Sequence, residues 1–435
     1  MESKKQNKDI IQECEVKETM QEPKKVNKVT KTGAKASTKT STKTSTKTGA
    51  KTSAKASTKA STKTSTKTGA KASTKASTKA KAVVNTVVND TGRSMRFFGE
   101  PFKLKQCVWE ITLACCFSCK YCGSGVTGGK ARENELTTAE CLNVADQLAD
   151  LGCERVSMIG GEVFMRKDWK QIVDRLVARG VIVNIITNGF IFNDKLLKEL
   201  KAARIESVAV SIDGPKEVHD KYRQSGSYDR AMRAIETLTA AGIPTSVIST
   251  LNSENVKYLD KFIEELKQYN IFAWQLQACS PMGNAAKGGI DYIFSPYEVA
   301  NFVDMHVDEV PFRMYIADNI GYFTENEIRV RDGGMFGGCS AGIHGIGIDS
   351  VGNVKGCESL YDPKFFEGNL RDRSLKSIWE DPDAFAYNRK FNATMLTGKC
   401  AECKLGSFCA GGCRSYNYFT HGKLYEAPRC AKYFE

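Results

Sequence analysis

Apolar and polar residues follow two different patterns along the chain, and the change comes at about residue 90. Beyond it, short apolar runs are separated by amphipathic stretches that have an apolar residue every three or four positions. The apolar runs predict six β-strands, at 107–113, 155–160, 181–187, 207–212, 244–250 and 272–277. The amphipathic stretches predict five α-helices, at 137–151, 168–179, 193–203, 228–242 and 254–269.

This alternation predicts an α/β fold with a parallel sheet, because consecutive parallel strands need crossover connections. Six strands are too few to close an eight-stranded barrel, so the pattern favours an open, partial barrel or a doubly wound sheet. In both architectures the chemistry belongs at the carboxyl ends of the strands. The last part of the chain is rich in Gly and Cys, which is typical of a fold held together by metal ligands.

The first part of the chain is polar and basic. From Lys31 to Lys79 a Lys recurs at every fourth position among Ser, Thr, Ala and Gly. Because these residues cannot form an apolar core, residues 1–90 are predicted to be a disordered tail. Residues 1–82 contain 21 Lys and 6 Asp or Glu, so the tail accounts for the net charge of +13. The tail is interpreted as a solubilising segment or as an electrostatic arm for an acidic peptide, nucleic acid or anionic lipid.

The sequence also bears on the compartment. The first residues have no apolar segment long enough for a secretory signal, and no stretch approaches about 18 consecutive apolar residues. The chain is therefore predicted to be cytoplasmic, without a membrane span. In a chain of this length and in a reducing compartment, its 16 cysteines indicate metal-bound thiolates rather than a disulfide scaffold.

Three of the cysteines, Cys115, Cys119 and Cys122, form a Cys-x3-Cys-x2-Cys run after the first predicted strand. A cubane iron–sulfur cluster ordinarily takes four thiolates, so three leave one iron free for an exchangeable ligand. Zinc could use such a loop, but a structural zinc ion takes four ligands. With Tyr121 before the third cysteine, the run resembles that of radical S-adenosylmethionine (radical SAM) enzymes. The resemblance implies a [4Fe–4S] cluster whose open iron is chelated by SAM, which is cleaved to a 5′-deoxyadenosyl radical.

Further segments after the predicted strands resemble motifs of the same family. Gly160, Gly161 and Glu162 resemble the motif that holds the SAM amino group, since glycines permit close approach and a carboxylate suits an ammonium. The resemblance implies these other SAM contacts: Tyr121 near the adenine, Thr187 and Asn188 after the third strand, and Ser211 and Asp213 near the ribose and carboxylate. Arg223 is left open between the SAM carboxylate and solvent.

Seven cysteines near the end of the chain form a second set: Cys339, Cys357, Cys400, Cys403, Cys409, Cys413 and Cys430. Two zinc ribbons are one interpretation, because Cys-x2-Cys is a common zinc signal. The spacing resembles the SPASM domain, which binds two auxiliary [4Fe–4S] clusters in radical SAM enzymes. By this resemblance one cluster is held by Cys400, Cys403, Cys409 and Cys430. The other takes Cys339, Cys357 and Cys413, and its fourth iron is either open or closed by a distant residue such as Cys279.

These patterns divide the chain into a tail at 1–90, a radical SAM partial barrel at 91–312, a connector at 313–338 and a SPASM domain at 339–435. The combination resembles enzymes that modify peptides or proteins. It implies hydrogen abstraction from a ribosomally made peptide, ending in a cross-link, a thioether or an epimer. For an epimerase, Cys116 and Cys279 are the candidate thiols.

Three alternatives stay open. In anaerobic sulfatase-type protein maturation, Glu358 would stand where that branch has an Asp base. A peptide-modifying enzyme of cofactor biosynthesis is the second alternative. The third is an iron–sulfur electron carrier, which has no need of an open iron beside SAM-binding motifs. The enzyme interpretations imply a low-potential electron donor such as flavodoxin or ferredoxin.

Overall fold

The computed structural model describes residues 102–126, 128–323 and 326–434. The tail predicted at 1–90 lies outside these residues. Within them, ten strands form a single sheet: β1 Gln106–Glu110, β2 Arg155–Ile159, β3 Ile182–Thr187, β4 Ser207–Ser211, β5 Thr245–Leu251, β6 Ala273–Ala278, β7 Arg313–Ile316, β8 Gly345–Ile348, β9 Asn353–Lys355 and β10 Gly368–Asn369.

The α-helices of the described residues, in chain order, are α1 Thr138–Asp150, α2 Trp169–Ala178, α3 Asp194–Ala203, α4 Lys216–Tyr222, α5 Ser227–Ala240, α6 Leu259–Leu266, α7 Pro296–His306, α8 Glu327–Val330, α9 Leu375–Trp379, α10 Ala386–Arg389, α11 Lys399–Glu402, α12 Gly406–Cys409 and α13 Arg414–His421. None of these helices is long and apolar enough to cross a membrane.

The strand order is β10-β9-β8-β1-β2-β3-β4-β5-β6-β7. Strands β1 to β7 are each parallel to the next, and β8 is parallel to β1. Strands β9 and β10 pair antiparallel at one edge. The six predicted strands are present as β1 to β6, and the predicted α/β fold with an open parallel sheet is confirmed.

The sheet is wider than the sequence pattern predicts. Strand β7 lies in the predicted connector, and β8 to β10 lie in the predicted SPASM domain. Strands β7 and β8 were missed for physical reasons. β7 has only four residues, and β8 has the sequence Gly-Ile-Gly-Ile, whose glycines indicate a turn. Since the sheet continues past residues 312 and 338, the proposed division into domains stays a prediction.

The core lies between the sheet and its covering helices. Trp109 in β1 and Trp274 in β6 are fully buried, and the Trp274 Nε1 donates to the Ser249 Oγ at 2.9 Å. Helix α1 begins at a capping box in which Thr137 and Glu140 satisfy each other's backbone N–H groups. Because β1 to β4 are parallel, their carboxyl ends lie at the same edge of the sheet, where the loops that follow them meet.

Candidate functional site

A cavity of about 870 Å³ lies along one face of the sheet and extends to the loops that follow the strands. Residues from β1 to β7 and from the carboxyl-terminal part share its wall. The predicted site residues in this wall are Cys115, Cys119, Tyr121, Cys122, Gly160, Gly161, Thr187, Asn188, Ser211, Cys357 and Glu358. The structure thus brings cysteines of both predicted sets to one space.

The first cysteine trio lies in the loop that follows β1. Phe117 N donates to the Cys115 Sγ at 3.4 Å, and the Asn188 Nδ2 lies 3.9 Å from the same sulfur. Burial raises the pKa of the Cys119 thiol to about 12, although Arg223 lowers it. The free thiol is therefore neutral at neutral pH, and metal binding must displace its proton.

Cys115, Cys119 and Cys122 all line the central cavity. The number of thiols fits a cluster better than a structural zinc ion, which takes four ligands. Each iron of a cubane takes one thiolate, so three thiols would hold a [4Fe–4S] cluster and leave one iron for another ligand.

The loop after β2 approaches the cysteine loop very closely. A Cβ atom at Gly161 would lie 2.3 Å from the Leu113 carbonyl oxygen and 2.4 Å from that of Ala114, so only glycine fits there. The next residue, Glu162, is 1 % exposed. Its Oε1 accepts from the Thr187 Oγ1 and its Oε2 from Asn188 N, both at 2.9 Å. Burial raises the pKa of Glu162, and these two bonds oppose the rise.

Asp213 follows β4 and is bonded on both carboxylate oxygens. Its Oδ1 accepts from Thr250 N at 2.8 Å and from the Arg223 Nη2 at 3.2 Å. Its Oδ2 accepts from the Arg223 Nε and the Tyr121 hydroxyl. Burial opposes ionisation of Asp213, but Arg223 outweighs it, and the pKa lies below the usual value. Arg223 itself is 11 % exposed and lines the cavity, so it is not a solvent-facing residue.

The second cysteine set divides into two groups, as the resemblance implies. Cys400, Cys403, Cys409 and Cys430 line one small cavity together with Tyr322 and Phe336. Burial, together with the other three cysteines, raises the pKa of Cys430 to about 12. Four thiols around a shared cavity match the ligand number of a cubane.

The other group consists of Cys339, Cys357 and Cys413. The pKa of Cys413 is raised by burial first and then by Cys339 and Cys357, so the three thiols are neighbours. Cys279 is 1 % exposed and packs in a cluster with Tyr121 and Tyr222, beside Cys119. Its packing partners thus belong to the first cysteine loop and to α4 rather than to this trio.

Glu358 belongs to a buried ion pair beside Cys357 that the sequence did not reveal. Lys355 Nζ donates to the Glu358 Oε1 at 2.9 Å, and the two residues are 1 % and 3 % exposed. Burial raises the pKa of Glu358 to about 8, and Lys355 opposes the rise. Tyr361, in the same loop, lies 2.6 Å from the Ser124 hydroxyl in the first cysteine loop. The only sequence signal for these residues is a Lys and a Tyr close to Cys357.

Taken together, an open parallel sheet with three groups of cysteines is the architecture expected of a protein that binds iron–sulfur clusters. Comparison with known proteins gives the family. A family model described as the radical SAM superfamily matches residues 109–266, and one described as an iron–sulfur cluster-binding (SPASM) domain matches 339–404. The chain belongs to the radical SAM superfamily. It is a radical SAM enzyme, and its cofactors are SAM, the SAM-binding [4Fe–4S] cluster and auxiliary clusters in the SPASM domain.

Relatives span most of the chain. The mycofactocin maturase MftC of Mycolicibacterium smegmatis is 30 % identical over 72 % of this chain and 79 % of its own length. An AdoMet-dependent heme synthase of Methanosarcina barkeri is 28 % identical over 74 % of this chain and 95 % of its own. Streptococcus suis SuiB, solved with bound S-adenosylmethionine, superposes with a TM-score of 0.61 over 74 % of this chain and 76 % of that one. Its identity is 15 %, so this likeness concerns the fold alone.

Proposed function

We propose that this chain matures a ribosomally made peptide by abstracting a hydrogen atom from one of its residues. The observation that carries the proposal is the shared cavity, whose wall contains Cys115, Cys119 and Cys122 together with Cys357. A substrate in this space would contact both cluster sites. The similarity to MftC, which is named a maturase, supports a peptide as the substrate.

In this proposal Cys115, Cys119 and Cys122 hold the first cluster, and its open iron takes the amino and carboxylate groups of SAM. Bound there, SAM supplies hydrogen-atom abstraction. The backbone of Gly160 and Gly161 would hold the SAM amino group, and Glu162 fixes the loops after β2 and β3 through Thr187 and Asn188. These bonds support a preorganised pocket, which costs no rearrangement when SAM binds.

Arg223 is proposed to face the SAM carboxylate, and Asp213 to hold Arg223 in place. Arg223 lines the cavity, and its Nε and Nη2 donate to Asp213. A paired guanidinium keeps further N–H donors in a fixed orientation, which suits a carboxylate. Tyr121, which also bonds Asp213, is proposed to lie near the adenine, and Ser211 near the ribose.

Two auxiliary [4Fe–4S] clusters are proposed for the second set. Cys400, Cys403, Cys409 and Cys430 hold one of them, and Cys339, Cys357 and Cys413 hold three irons of the other. Such clusters could accept an electron after the substrate is oxidised, bind the substrate, or stabilise the fold of the domain.

Glu358 is proposed as a base for the substrate. It lies in the cavity wall, and its Oε2 has no hydrogen-bond partner among the described residues, while Lys355 holds the other oxygen. A carboxylate with one oxygen free of hydrogen bonds can accept a proton from a substrate that approaches it. Sulfatase-type maturation places an Asp at this position, so the longer Glu358 supports peptide maturation over that alternative.

A tetrapyrrole is the second candidate substrate, because heme synthases are among the relatives. Tetrapyrroles of this kind carry carboxylates, which a protein would bind with cationic side chains. Of the two Arg residues in the described cavity wall, Arg223 is assigned above to the SAM carboxylate, and Arg331 is paired with Glu327. This arrangement favours the peptide.

The remaining partners are proposed on chemical grounds. The first cluster needs one electron per turnover at low potential, which a flavodoxin or ferredoxin in the cytoplasm would supply. The Lys-rich tail, whose 21 Lys outnumber 6 acidic residues over residues 1–82, suits an acidic partner.

The test has two arms. Cluster-loaded protein incubated anaerobically with SAM and dithionite should form 5′-deoxyadenosine; none at all with intact clusters would favour an electron carrier. Coexpression with a short peptide encoded beside the gene should then remove two hydrogen atoms from it for a cross-link or thioether. An epimer keeps its mass and is read from the D-amino acid content. An unmodified peptide alongside a modified tetrapyrrole would contradict the peptide substrate.

A further inference from the structure

A hydrogen bond between two hydroxyl groups joins the two cluster-binding loops. The Ser124 Oγ lies 2.6 Å from the Tyr361 hydroxyl oxygen. In sequence, Ser124 closely follows Cys122, and Tyr361 closely follows Cys357. Both side chains also line the central cavity. The bond therefore connects the SAM-binding loop with the loop that carries Cys357. The cluster proposed at Cys339, Cys357 and Cys413 is called the first auxiliary cluster below.

This bond has two directions, because either oxygen can be the donor. A hydroxyl hydrogen rotates to suit its surroundings, so Ser124 donates to Tyr361 or Tyr361 donates to Ser124. The two arrangements differ in where the O–H dipole of Tyr361 points. The pair is thus a small two-state element, which is what an energetic link between separate sites requires.

Tyr361 also contacts the buried ion pair beside Cys357. The Lys355 Nζ lies 4.2 Å from the centre of the Tyr361 ring. The same ammonium donates to the Glu358 Oε1 at 2.9 Å and to the Glu358 carbonyl oxygen at 3.0 Å. Charges buried this deeply are poorly screened, and the potential of an iron–sulfur cluster depends on nearby charges and hydrogen bonds. A change at Tyr361 therefore reaches the Cys357 cluster through Lys355 and Glu358.

We propose that the Ser124–Tyr361 pair couples occupation of the SAM site to the reduction potential of the first auxiliary cluster, with Tyr361 as a positioning residue. The inference rests on the cluster ligands proposed above. Ligand binding beside Cys122 favours one direction of the bond, and that direction changes the field at Cys357. Linkage makes the effect reciprocal: a tenfold difference in ligand affinity between the two redox states equals about 59 mV for a one-electron couple.

The test is an anaerobic redox titration of the full-length, cluster-loaded protein, followed by electron paramagnetic resonance (EPR) with and without S-adenosylhomocysteine. This probe lacks the sulfonium bond, so it is not consumed. The signal of the first auxiliary cluster is assigned by its loss in Cys357→Ala. The probe should shift its midpoint potential by about 59 mV for a tenfold coupling. Tyr361→Phe and Ser124→Ala should each abolish the shift, and the double variant should behave like either single one.

Tyr418→Phe is the matched control. The Tyr418 hydroxyl donates at 2.5 Å to the Oδ2 of Asp362, the residue after Tyr361. This variant should keep the shift in midpoint potential. No shift in the wild type, or a shift that persists in both single variants, overturns the coupling. Iron content separates this failure from a deeper one. Iron well below about twelve atoms per chain would overturn the ligand assignment and the coupling together, whereas full clusters without a shift would overturn the coupling alone.

Discussion

The buried carboxylates of the site bond to protein groups, and this decides which polar residues can face a ligand. Both carboxylate oxygens of Asp213 accept hydrogen bonds, and the donors are Arg223, Tyr121 and Thr250. Glu162 bonds the loop after β3 in the same way. The motifs predict these residue types at the right strand ends. They do not predict the pairings, because the partners are far apart in the chain and spacing carries no information about them.

At the same scale, His219 makes stability depend on pH. It is 1 % exposed, its Nδ1 accepts from Asp213 N at 3.3 Å, and burial lowers its pKa from 6.5 to about 4. Between these values the folded protein binds fewer protons than the unfolded chain, so stability falls as the pH falls. From about pH 7 to about pH 5.5 the free energy of unfolding should drop by about 1 kcal/mol through this group.

The measurement is anaerobic urea unfolding of the loaded protein at both pH values, compared with His219→Gln. The variant should be less stable at neutral pH. Its free energy of unfolding should fall by about 1 kcal/mol less than that of the wild type between the two pH values. His344→Gln is the control, because His344 is exposed. An unchanged pH dependence in His219→Gln would show that His219 does not bind its proton differently in the two states.

At the scale of elements, strands with regular apolar runs were predictable and the irregular ones were not. β1 to β5 each contain at least two β-branched or aromatic residues and are followed by a predicted amphipathic helix. By contrast, β7 and β8 are short, and helix α7 follows a loop rather than a strand pattern. Their place in the sheet depends on pairing with β6 and β1, which local sequence does not encode.

The packing of Cys279 gives a prediction at this scale. Cys279 follows β6 and packs against Tyr121 and Tyr222. Cys279→Ser should therefore keep about twelve iron atoms per chain and all three cluster signals. Cys357→Ala, which removes a proposed ligand, should lose about four. Iron analysis with Mössbauer spectroscopy measures both, and an equal loss in Cys279→Ser would make Cys279 the fourth ligand.

At the scale of the whole molecule, one sheet carries both cluster regions to a common cavity. Strand β8, from the carboxyl-terminal part, pairs with β1, the strand that leads into the first cysteine loop. Arg132 adds a second link, since it bonds Glu110, the last residue of β1, and the Ser350 hydroxyl. The two cysteine sets were predictable from spacing, but their common cavity follows only from the way the sheet continues.

The central claim is the open iron at Cys115, Cys119 and Cys122, and its most direct measurement is EPR of the reduced, reconstituted protein with and without SAM. In a variant with Cys357 and Cys403 replaced by Ala, which leaves the first cluster as the main signal, SAM should change the g-values of that cluster. Cys119→Ala should remove the signal. A cluster signal that SAM leaves unchanged, or zinc in place of iron in that loop, would contradict the account.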